Sequence, residues 1–224
     1  MEVAGSLLGA NLLNLEEDVR LAEKWGIKIL HFDQMDGHFV PNIAFGPAFV
    51  AAVRSITTCF LDVHLMLDNP RAYLEDYVKA GADSLTIHAE IQDDVLSVLR
   101  EIHARNCKTC ISINPETDPA VIEPYLSECD MVLVMLVQPG FGGQEARADC
   151  IKKLPVLRKM IDQLDRRIPI EVDGGVKLQN IHPILDAGAD ILVMGTGLYG
   201  AEDPEGVVRE VKGELDARIA RLGR

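Results

Sequence analysis

The chain has 224 residues, a formal net charge of −13 and 48% hydrophobic residues. This acidic balance repels phosphate backbones, so it argues against nucleic acid and anionic membranes as partners. No apolar run approaches the roughly 20 residues of a membrane span, and no basic segment precedes an apolar stretch at the start, so neither an anchor nor a secretory signal is expected. Five cysteines with irregular spacing favour a reducing compartment. We therefore expect a globular cytoplasmic protein.

Apolar runs rich in valine, isoleucine and leucine alternate along the chain with segments of helical periodicity. This alternation is typical of strand–helix units on a parallel sheet. The predicted strands are Val3–Leu8, Lys28–Asp33, Phe60–Met66, Ser84–His88, Thr109–Ile113, Met131–Leu136, Ile168–Asp173 and Ile191–Met194. The predicted helices are Leu15–Trp25, Pro47–Ser55, Arg71–Ala80, Ile91–Ala104, Ala120–Ser127, Cys150–Leu164, Leu178–Ala187 and Pro204–Leu222.

These strand–helix pairs fill nearly the whole length of the chain. That number of pairs matches a compact α/β TIM (β/α)8 barrel and leaves almost nothing for a second domain. An open doubly wound sheet is the competing interpretation, but it usually has fewer strands and a glycine fingerprint after the first strand. The sequence Gly9-Ala10-Asn11-Leu12 lacks that fingerprint. We predict one TIM-barrel domain over residues 1–224.

Titratable side chains stand at the carboxyl ends of three predicted strands. Because side chains alternate along a strand, His31 and Asp33 share one face, and His64 occupies a similar position on the next strand. Asp173 ends a later strand, just before two glycines. In a barrel these ends share one rim, where barrel enzymes place their chemistry. Two imidazoles and two carboxylates suit one divalent ion of Zn, Fe, Mn or Co.

Three glycine-rich loops follow the last three predicted strands, at 138–144, 174–175 and 195–197. Each loop alone is equally consistent with simple flexibility. Barrels commonly bind phosphate with loops in this position, through backbone N–H groups and a helix N-terminus. Because such a ring of N–H groups can hold an anion even on an acidic protein, we expect a small anionic ligand here.

Methionines and two further titratable residues leave alternatives open. Met35 and Met66 share a face with the metal-ligand candidates, so they are consistent either with core packing or with an apolar lid over reacting carbons. Glu171 faces the same way as Asp173 but one layer deeper, and we expect a buried structural carboxylate with a partner. His88 ends the fourth predicted strand near the same rim, where we expect a supporting role.

Four motifs resemble the ribulose-phosphate 3-epimerase family: His31–Asn42, Asp62–Met66, Pro139–Gln144 and Glu171–Gly175. The similarity runs from about Ser6 to Asp203. The family consists of metal-dependent TIM barrels that interconvert D-ribulose 5-phosphate and D-xylulose 5-phosphate in the pentose phosphate pathway, so the resemblance implies an isomerase. It implies metal ligands at His31, Asp33, His64 and Asp173, and catalytic acid and base groups at Asp33 and Asp173. It implies substrate contacts from Ser6, His64, Met35, Met66, Met135, Gly140, Phe141, Gly142, Gly143, Gly174, Gly175, Gly195 and Thr196.

The chain also departs from the family's usual pattern. The differing positions include Gly9 and Asn11, which flank Ala10 where the family usually has serine and aspartate, so that a hydroxyl and a carboxylate are lost. The others are Gln34, Leu136, Gln138 and the Gly-Thr-Gly of 195–197. Because the metal and acid–base residues are intact, we expect these departures to affect substrate choice rather than reaction type. A paralogue that acts on allulose 6-phosphate therefore stays open.

Two other functional classes remain as alternatives to the epimerase. A non-catalytic sugar-phosphate-binding barrel would have lost an acid or base residue, and none is lost here. A lyase on a related barrel would favour a lysine at an inner strand end, whereas Lys28 and Lys108 stand at strand starts. For the epimerase the expected partner is a small-molecule sugar phosphate, and the expected assembly is a homo-oligomer.

Overall fold

A computed structural model describes residues 1–221, in which strands and helices alternate. The strands are β1 (Glu2–Ser6), β2 (Ile29–Asp36), β3 (Ile43–Ala44), β4 (Phe60–Met66), β5 (Ser84–His88), β6 (Lys108–Ile113), β7 (Met131–Met135), β8 (Ile170–Asp173) and β9 (Ile191–Met194). The α-helices are α1 (Leu15–Lys24), α2 (Pro47–Arg54), α3 (Leu74–Lys79), α4 (Val95–His103), α5 (Ala148–Ile151), α6 (Leu154–Ile161), α7 (Ile181–Asp186), α8 (Thr196–Tyr199) and α9 (Pro204–Arg221). Segments of 3-10 helix occupy Leu7–Gly9, Leu12–Asn14, Pro70–Tyr73, Pro119–Glu128 and Leu178–Asn180.

Parallel strands close into a barrel. Neighbouring strands follow the order β1-β9-β8-β7-β6-β5-β4-β2, and β1 also pairs with β2. This last pairing places Ser6 level with His31 and closes the sheet. The prediction of a single-domain TIM barrel is therefore confirmed, and the open doubly wound alternative is excluded. The short β3 pairs antiparallel with the end of β2 and extends it beyond the rim.

The two faces of the barrel strands carry different chemistry. On the outer face Leu30 and Phe32 of β2 are fully buried in one apolar layer beneath the helices. On the inner face the fully buried side chains include Asp62, Ser84 and Glu171. Since burial of apolar area is the main favourable term in folding, the outer layer stabilises the barrel and leaves the interior available for polar groups.

Four predicted helices differ in kind from the observed ones. Arg71–Ala80 and Leu178–Ala187 begin as the 3-10 segments Pro70–Tyr73 and Leu178–Asn180 before they continue as α3 and α7. The other two contain a proline. The segment predicted as Ala120–Ser127 is part of the 3-10 helix Pro119–Glu128, which contains Pro124. The segment predicted as Cys150–Leu164 is divided into α5 and α6, with Pro155 in the first turn of α6. Proline has no N–H to donate and its ring crowds the preceding turn, so a continuous α-helix is disfavoured at both places.

Three short elements were not predicted, namely β3, α8 and the 3-10 segment Leu12–Asn14, because each is too short for a periodic pattern. The predicted strand Val3–Leu8 ends at Ser6, and its last two residues belong to the 3-10 segment Leu7–Gly9. At the end of the chain the predicted helix Pro204–Leu222 corresponds to α9, while Leu222 and the last residues of the predicted domain lie outside the described residues. Within the described part of the chain, none of the helices combines the length and the apolar character that crossing a bilayer requires.

Candidate metal centre and substrate site

Four side chains from three strands gather at the carboxyl-terminal rim of the barrel. They are His31, Asp33, His64 and Asp173, and one ligand atom from each lies within 4.8 Å of the others. Parallel pairing of β2 with β4 places Asp33 level with His64. The alternation of side chains along β2 turns His31 inward on the same face as Asp33. The set thus offers two nitrogen and two oxygen donors around one point.

His31 is oriented from behind by a carboxylate. Its Nδ1 lies 2.6 Å from Asp62 Oδ2, and the other oxygen of Asp62 accepts a hydrogen bond of 2.6 Å from the Ser84 hydroxyl. Nε2 of His31 is buried and lacks a hydrogen-bond partner among the residues described. Burial alone would lower the pKa of His31, but Asp33 and Asp62 raise it well above the usual value. A carboxylate behind a histidine is the usual way to orient a metal ligand.

His64 presents its Nδ1 to the same point, whereas His31 presents its Nε2. Its Nδ1 is buried, lies 3.5 Å from Asp33 Oδ1 and forms no hydrogen bond within the described chain. Its Nε2 lies 2.8 Å from Nε2 of His88. Burial lowers the pKa of His64 to about 4, so this imidazole is neutral. Two buried nitrogens without partners, one on each histidine, fit a site that holds a divalent ion.

The pKa values of the two carboxyl groups are shifted in opposite directions. Burial disfavours the charged form of Asp33, but His31 and His64 outweigh it and hold the pKa of Asp33 well below its usual range. The Ser6 hydroxyl also donates a hydrogen bond of 2.8 Å to Asp33 Oδ2. Burial and the negative charge of Asp33 raise the pKa of Asp173 to about 7. In the metal-free protein, one carboxyl group is therefore ionised while the other retains its proton in mildly acidic solution.

A first cavity lies directly over this centre. Asp33 and Asp173 form part of its wall, together with the three methionines of the sequence prediction, Met35, Met66 and Met135. The remaining predicted residues that line it are Gly140, Phe141, Gly142, Gly143, Gly174 and Gly175. Met35 and Met66 pair across β2 and β4 and pack with Val40 in a small apolar cluster of their own. An apolar surface thus faces the carboxylates.

A second cavity adjoins the first, with which it shares Gly142, Gly143 and Gly175. Its wall also contains Ser6, Gly195 and Thr196. The backbone in this region is crowded: a Cβ on Gly175, whose φ is +67°, would come within 2.3 Å of the Ala146 nitrogen. Only glycine lets the chain approach so closely and leaves its N–H groups free of side-chain cover.

Residues 2–199 match the sequence model of the ribulose-phosphate 3 epimerase family. The chain belongs to this family. As a member it is an isomerase of the epimerase type, as the motifs implied. The ribulose-phosphate 3-epimerase of Bacillus subtilis is 39% identical over 214 residues, which cover 95% of this chain and 99% of the relative. The chloroplastic ribulose-5-phosphate-3-epimerase of Arabidopsis thaliana is 40% identical over 212 residues, or 94% of this chain and 75% of the relative.

More distant solved structures share the fold of this epimerase-family chain. A 3-hexulose-6-phosphate synthase superposes with a TM-score of 0.67 at 21% identity, covering 95% of this chain and 99% of the other. The tryptophan synthase α-subunit of Pyrococcus furiosus gives a TM-score of 0.69 at 14% identity, with coverage of 95% and 97%. At these identities the comparison concerns the barrel alone.

Three features of the site differ from what the motifs of this family member suggested. Asp62, which contacts His31, was given no role from the sequence, although strand alternation put it on the inner face beside His64. Gln34, expected to affect substrate choice, is buried on the outer face and accepts a hydrogen bond of 3.1 Å from Tyr77. Its departure from the family pattern therefore concerns barrel–helix packing. Glu171 is buried as expected, but neither of its oxygens has a hydrogen-bond partner in residues 1–221.

Proposed function

We propose that this protein is a metal-dependent ketose-phosphate 3-epimerase that interconverts D-ribulose 5-phosphate and D-xylulose 5-phosphate. The observation that carries the proposal is the cluster of His31, Asp33, His64 and Asp173, in which two carboxyl groups share one set of metal-ligand candidates and line one cavity. Two carboxyl groups placed in this way are suited to work as a base and an acid. In the metal-free protein their pKa values are also shifted in opposite directions.

Inversion at C3 of a 2-ketose requires removal of a proton beside a carbonyl group and return of a proton on the opposite face. Asp33, ionised and held by the Ser6 hydroxyl, is suited to accept the proton. Asp173, which lines the same cavity, is suited in its protonated form to donate a proton to the other face of the planar enediolate. In the reverse reaction the two residues exchange roles.

His31, Asp33, His64 and Asp173 would hold the divalent ion. When bound, such an ion stabilises the negative charge that develops on the substrate oxygens during proton removal, an effect worth several kcal/mol. The mixed nitrogen and oxygen donors suit Zn²⁺, Fe²⁺, Mn²⁺ or Co²⁺, and selection among these ions depends on supply.

The two adjoining cavities support a substrate bound at both ends. The methionine wall excludes water from the reacting carbons, while the glycine loops around the second cavity offer backbone N–H groups to a phosphate. Binding energy from the phosphate end fixes C3 between the carboxylates, and this positioning raises the rate of proton transfer. A preference for phosphorylated over unphosphorylated ketose follows.

The proposal is tested by incubating the protein with D-ribulose 5-phosphate in D₂O and following C3 by NMR. We expect loss of the C3 proton signal together with formation of D-xylulose 5-phosphate. We also expect both to stop after treatment with a chelator and to return when Zn²⁺, Mn²⁺ or Co²⁺ is added. Unphosphorylated D-ribulose serves as the matched control substrate.

Each alternative predicts a different result in the same experiment. Faster deuterium exchange with allulose 6-phosphate than with D-ribulose 5-phosphate would identify the six-carbon paralogue. Binding of either phosphate without exchange would identify a non-catalytic barrel. Equal turnover of D-ribulose with and without its phosphate would contradict the anion site.

The cysteines are free thiols within the described structure, which supports the cytoplasm as the compartment of this reaction.

A further inference from the structure

A chain of hydrogen bonds runs from His64 away from the proposed metal centre. Nε2 of His64 lies 2.8 Å from Nε2 of His88, and the two rings stack with centroids 4.9 Å apart. Nδ1 of His88 lies 3.1 Å from Oε2 of Glu90. Both histidine side chains are fully buried, so the protein itself determines which nitrogen of each ring carries a proton.

Glu90 is fixed at the far end of this chain. Its Oε1 accepts a hydrogen bond of 2.8 Å from the backbone N–H of Asn114 and another from the Thr117 hydroxyl. The loop that supplies these donors is tied down in turn by the Lys153 ammonium, which donates to the carbonyl oxygens of Asn114 and Thr117 at 3.0 and 2.7 Å. A backbone N–H can only donate, so the oxygen of Glu90 that faces Asn114 must accept.

The direction of each hydrogen bond follows from this fixed end. The carboxylate of Glu90 accepts, so Nδ1 of His88 carries the proton. When His88 is neutral its other nitrogen is bare, and Nε2 of His88 then accepts from Nε2–H of His64. That arrangement leaves Nδ1 of His64 without a proton, and this is the nitrogen that lies 3.5 Å from Asp33 and has no partner in the part of the chain described.

We propose that His88 and Glu90 are positioning residues that hold His64 in the tautomer with its proton on Nε2, so that Nδ1 is free to bind the divalent ion. This inference rests on the metal centre of the proposed function. It gives the two histidine ligands opposite arrangements: Asp62 acts on Nδ1 of His31 directly, whereas Glu90 acts on Nε2 of His64 through a second imidazole.

The decisive comparison is between Glu90→Gln and Glu90→Ala. In Glu90→Gln the amide oxygen must face the N–H of Asn114, so the amide NH₂ faces Nδ1 of His88. His88 then carries its proton on Nε2, which requires a bare Nε2 and a protonated Nδ1 on His64. The isosteric substitution therefore reverses the donor and acceptor roles in every hydrogen bond from residue 90 to His64. Glu90→Ala removes the constraint without imposing the opposite one.

Zn²⁺ affinity of the full-length, metal-stripped protein, measured by competition with a chromophoric chelator, is the first readout. We expect Glu90→Gln to weaken binding by about 10- to 100-fold, the usual effect of losing a partner of a metal ligand, and Glu90→Ala to weaken it less. Glu23→Gln is the matched control. Glu23 also accepts a hydrogen bond from a threonine hydroxyl, that of Thr57, but it lies on the helix α1 outside the barrel. The Zn²⁺ affinity of this variant should equal that of wild type.

Histidine tautomers, measured by long-range ¹H–¹⁵N NMR in the metal-free protein, are the second readout. We expect His64 protonated at Nε2 in wild type and at Nδ1 in Glu90→Gln. A wild-type His64 protonated at Nδ1, or Zn²⁺ binding by Glu90→Gln as tight as or tighter than by Glu90→Ala, would overturn the inference. Failure of wild type to bind Zn²⁺, Mn²⁺ or Co²⁺ would instead overturn the metal centre of the proposed function. The NMR readout on wild type remains decisive even where a variant does not fold.

Discussion

Asp33 and Asp173 illustrate how two residues of one type acquire different chemistry within a single site. Asp33 faces His31 and His64 and accepts from Ser6, and each of these neighbours favours its ionised form. Asp173 faces the charge of Asp33 and has fewer compensating donors, so its protonated form is favoured. The difference arises from the groups that surround each carboxyl group, because the residue type is the same.

Amide substitutions test these two roles separately from folding. Asparagine has the size of aspartate but can neither accept nor return the C3 proton. We expect Asp33→Asn and Asp173→Asn each to lower kcat by at least about 10³-fold, since general acid–base catalysis alone contributes roughly 10²–10⁴-fold. Exchange of the C3 proton in D₂O and the melting temperature are measured in parallel. Wild-type exchange in either folded variant would disprove the role of that residue.

Strand alternation was sufficient to place His31, Asp33 and His64 on one inner face, because it depends only on the period of a strand. The hydrogen bond between His64 and His88 could not be obtained in this way. In the observed register His64 is level with Thr86, so His88 lies one inner layer nearer the rim and reaches back to His64. The sequence contains no signal for the stagger between two parallel strands that are joined by a helix.

At the level of elements, the 3-10 segment after β1 and the residues that follow β9 approach each other closely at a glycine. A Cβ on Gly9 would lie 2.6 Å from the carbonyl carbon of Gly195 and 2.8 Å from the nitrogen of Thr196. All three residues line the second cavity. Gly9 was noted in the sequence as the loss of a hydroxyl, and the structure gives it a geometric role that the sequence alone did not indicate.

Gly9→Ala therefore tests the phosphate site without touching the carboxylates. The new methyl group must displace the backbone of Gly195 and Thr196, because contacts shorter than 3.0 Å to backbone atoms cannot be relieved by a side-chain rotation. We expect KM for the sugar phosphate to rise about tenfold or more, as small displacements of a binding group commonly produce. Steady-state kinetics measure the change. An unaltered KM would show that these backbone groups do not hold the phosphate.

Gly213→Ala is the matched control for that substitution. Gly213 lies on the exposed side of α9, and a Cβ there would meet nothing within 4 Å. Alanine is favoured over glycine inside a helix by about 0.5–1 kcal/mol, so we expect this variant to unfold at higher urea concentration while KM stays at the wild-type value. Destabilisation by Gly213→Ala would indicate that α9 is not helical at this position in solution.

At the scale of the whole molecule, the net charge of −13 and the proposed phosphate-binding site are compatible because they act over different distances. Long-range repulsion is screened beyond roughly 8–10 Å at physiological ionic strength, whereas backbone N–H groups contact a phosphate directly. The barrel itself was predictable, since eight apolar runs separated by helical segments leave few other topologies.

The free energy of unfolding of the metal-free protein should fall as pH rises through the range in which Asp173 titrates. The unfolded chain releases this proton near pH 3.8, whereas the folded protein keeps it until about pH 7. The folded state therefore binds more protons between these two values, and the free energy of unfolding decreases over that interval and then levels off. Because Asp173 is partly exposed, we expect a loss of about 2 kcal/mol, less than the full shift at 1.4 kcal/mol per pKa unit would give.

Urea unfolding of chelator-treated wild type and Asp173→Asn at pH 5, 6, 7 and 8 measures this effect. The difference between the two proteins isolates Asp173 from the other titrating groups, and we expect it to shift in favour of Asp173→Asn as pH rises. Added Zn²⁺ should reverse the trend for wild type, because an ion that binds the deprotonated carboxylate stabilises the folded state more at higher pH. Parallel pH profiles for the two proteins would show that the pKa of Asp173 is not raised in the metal-free protein.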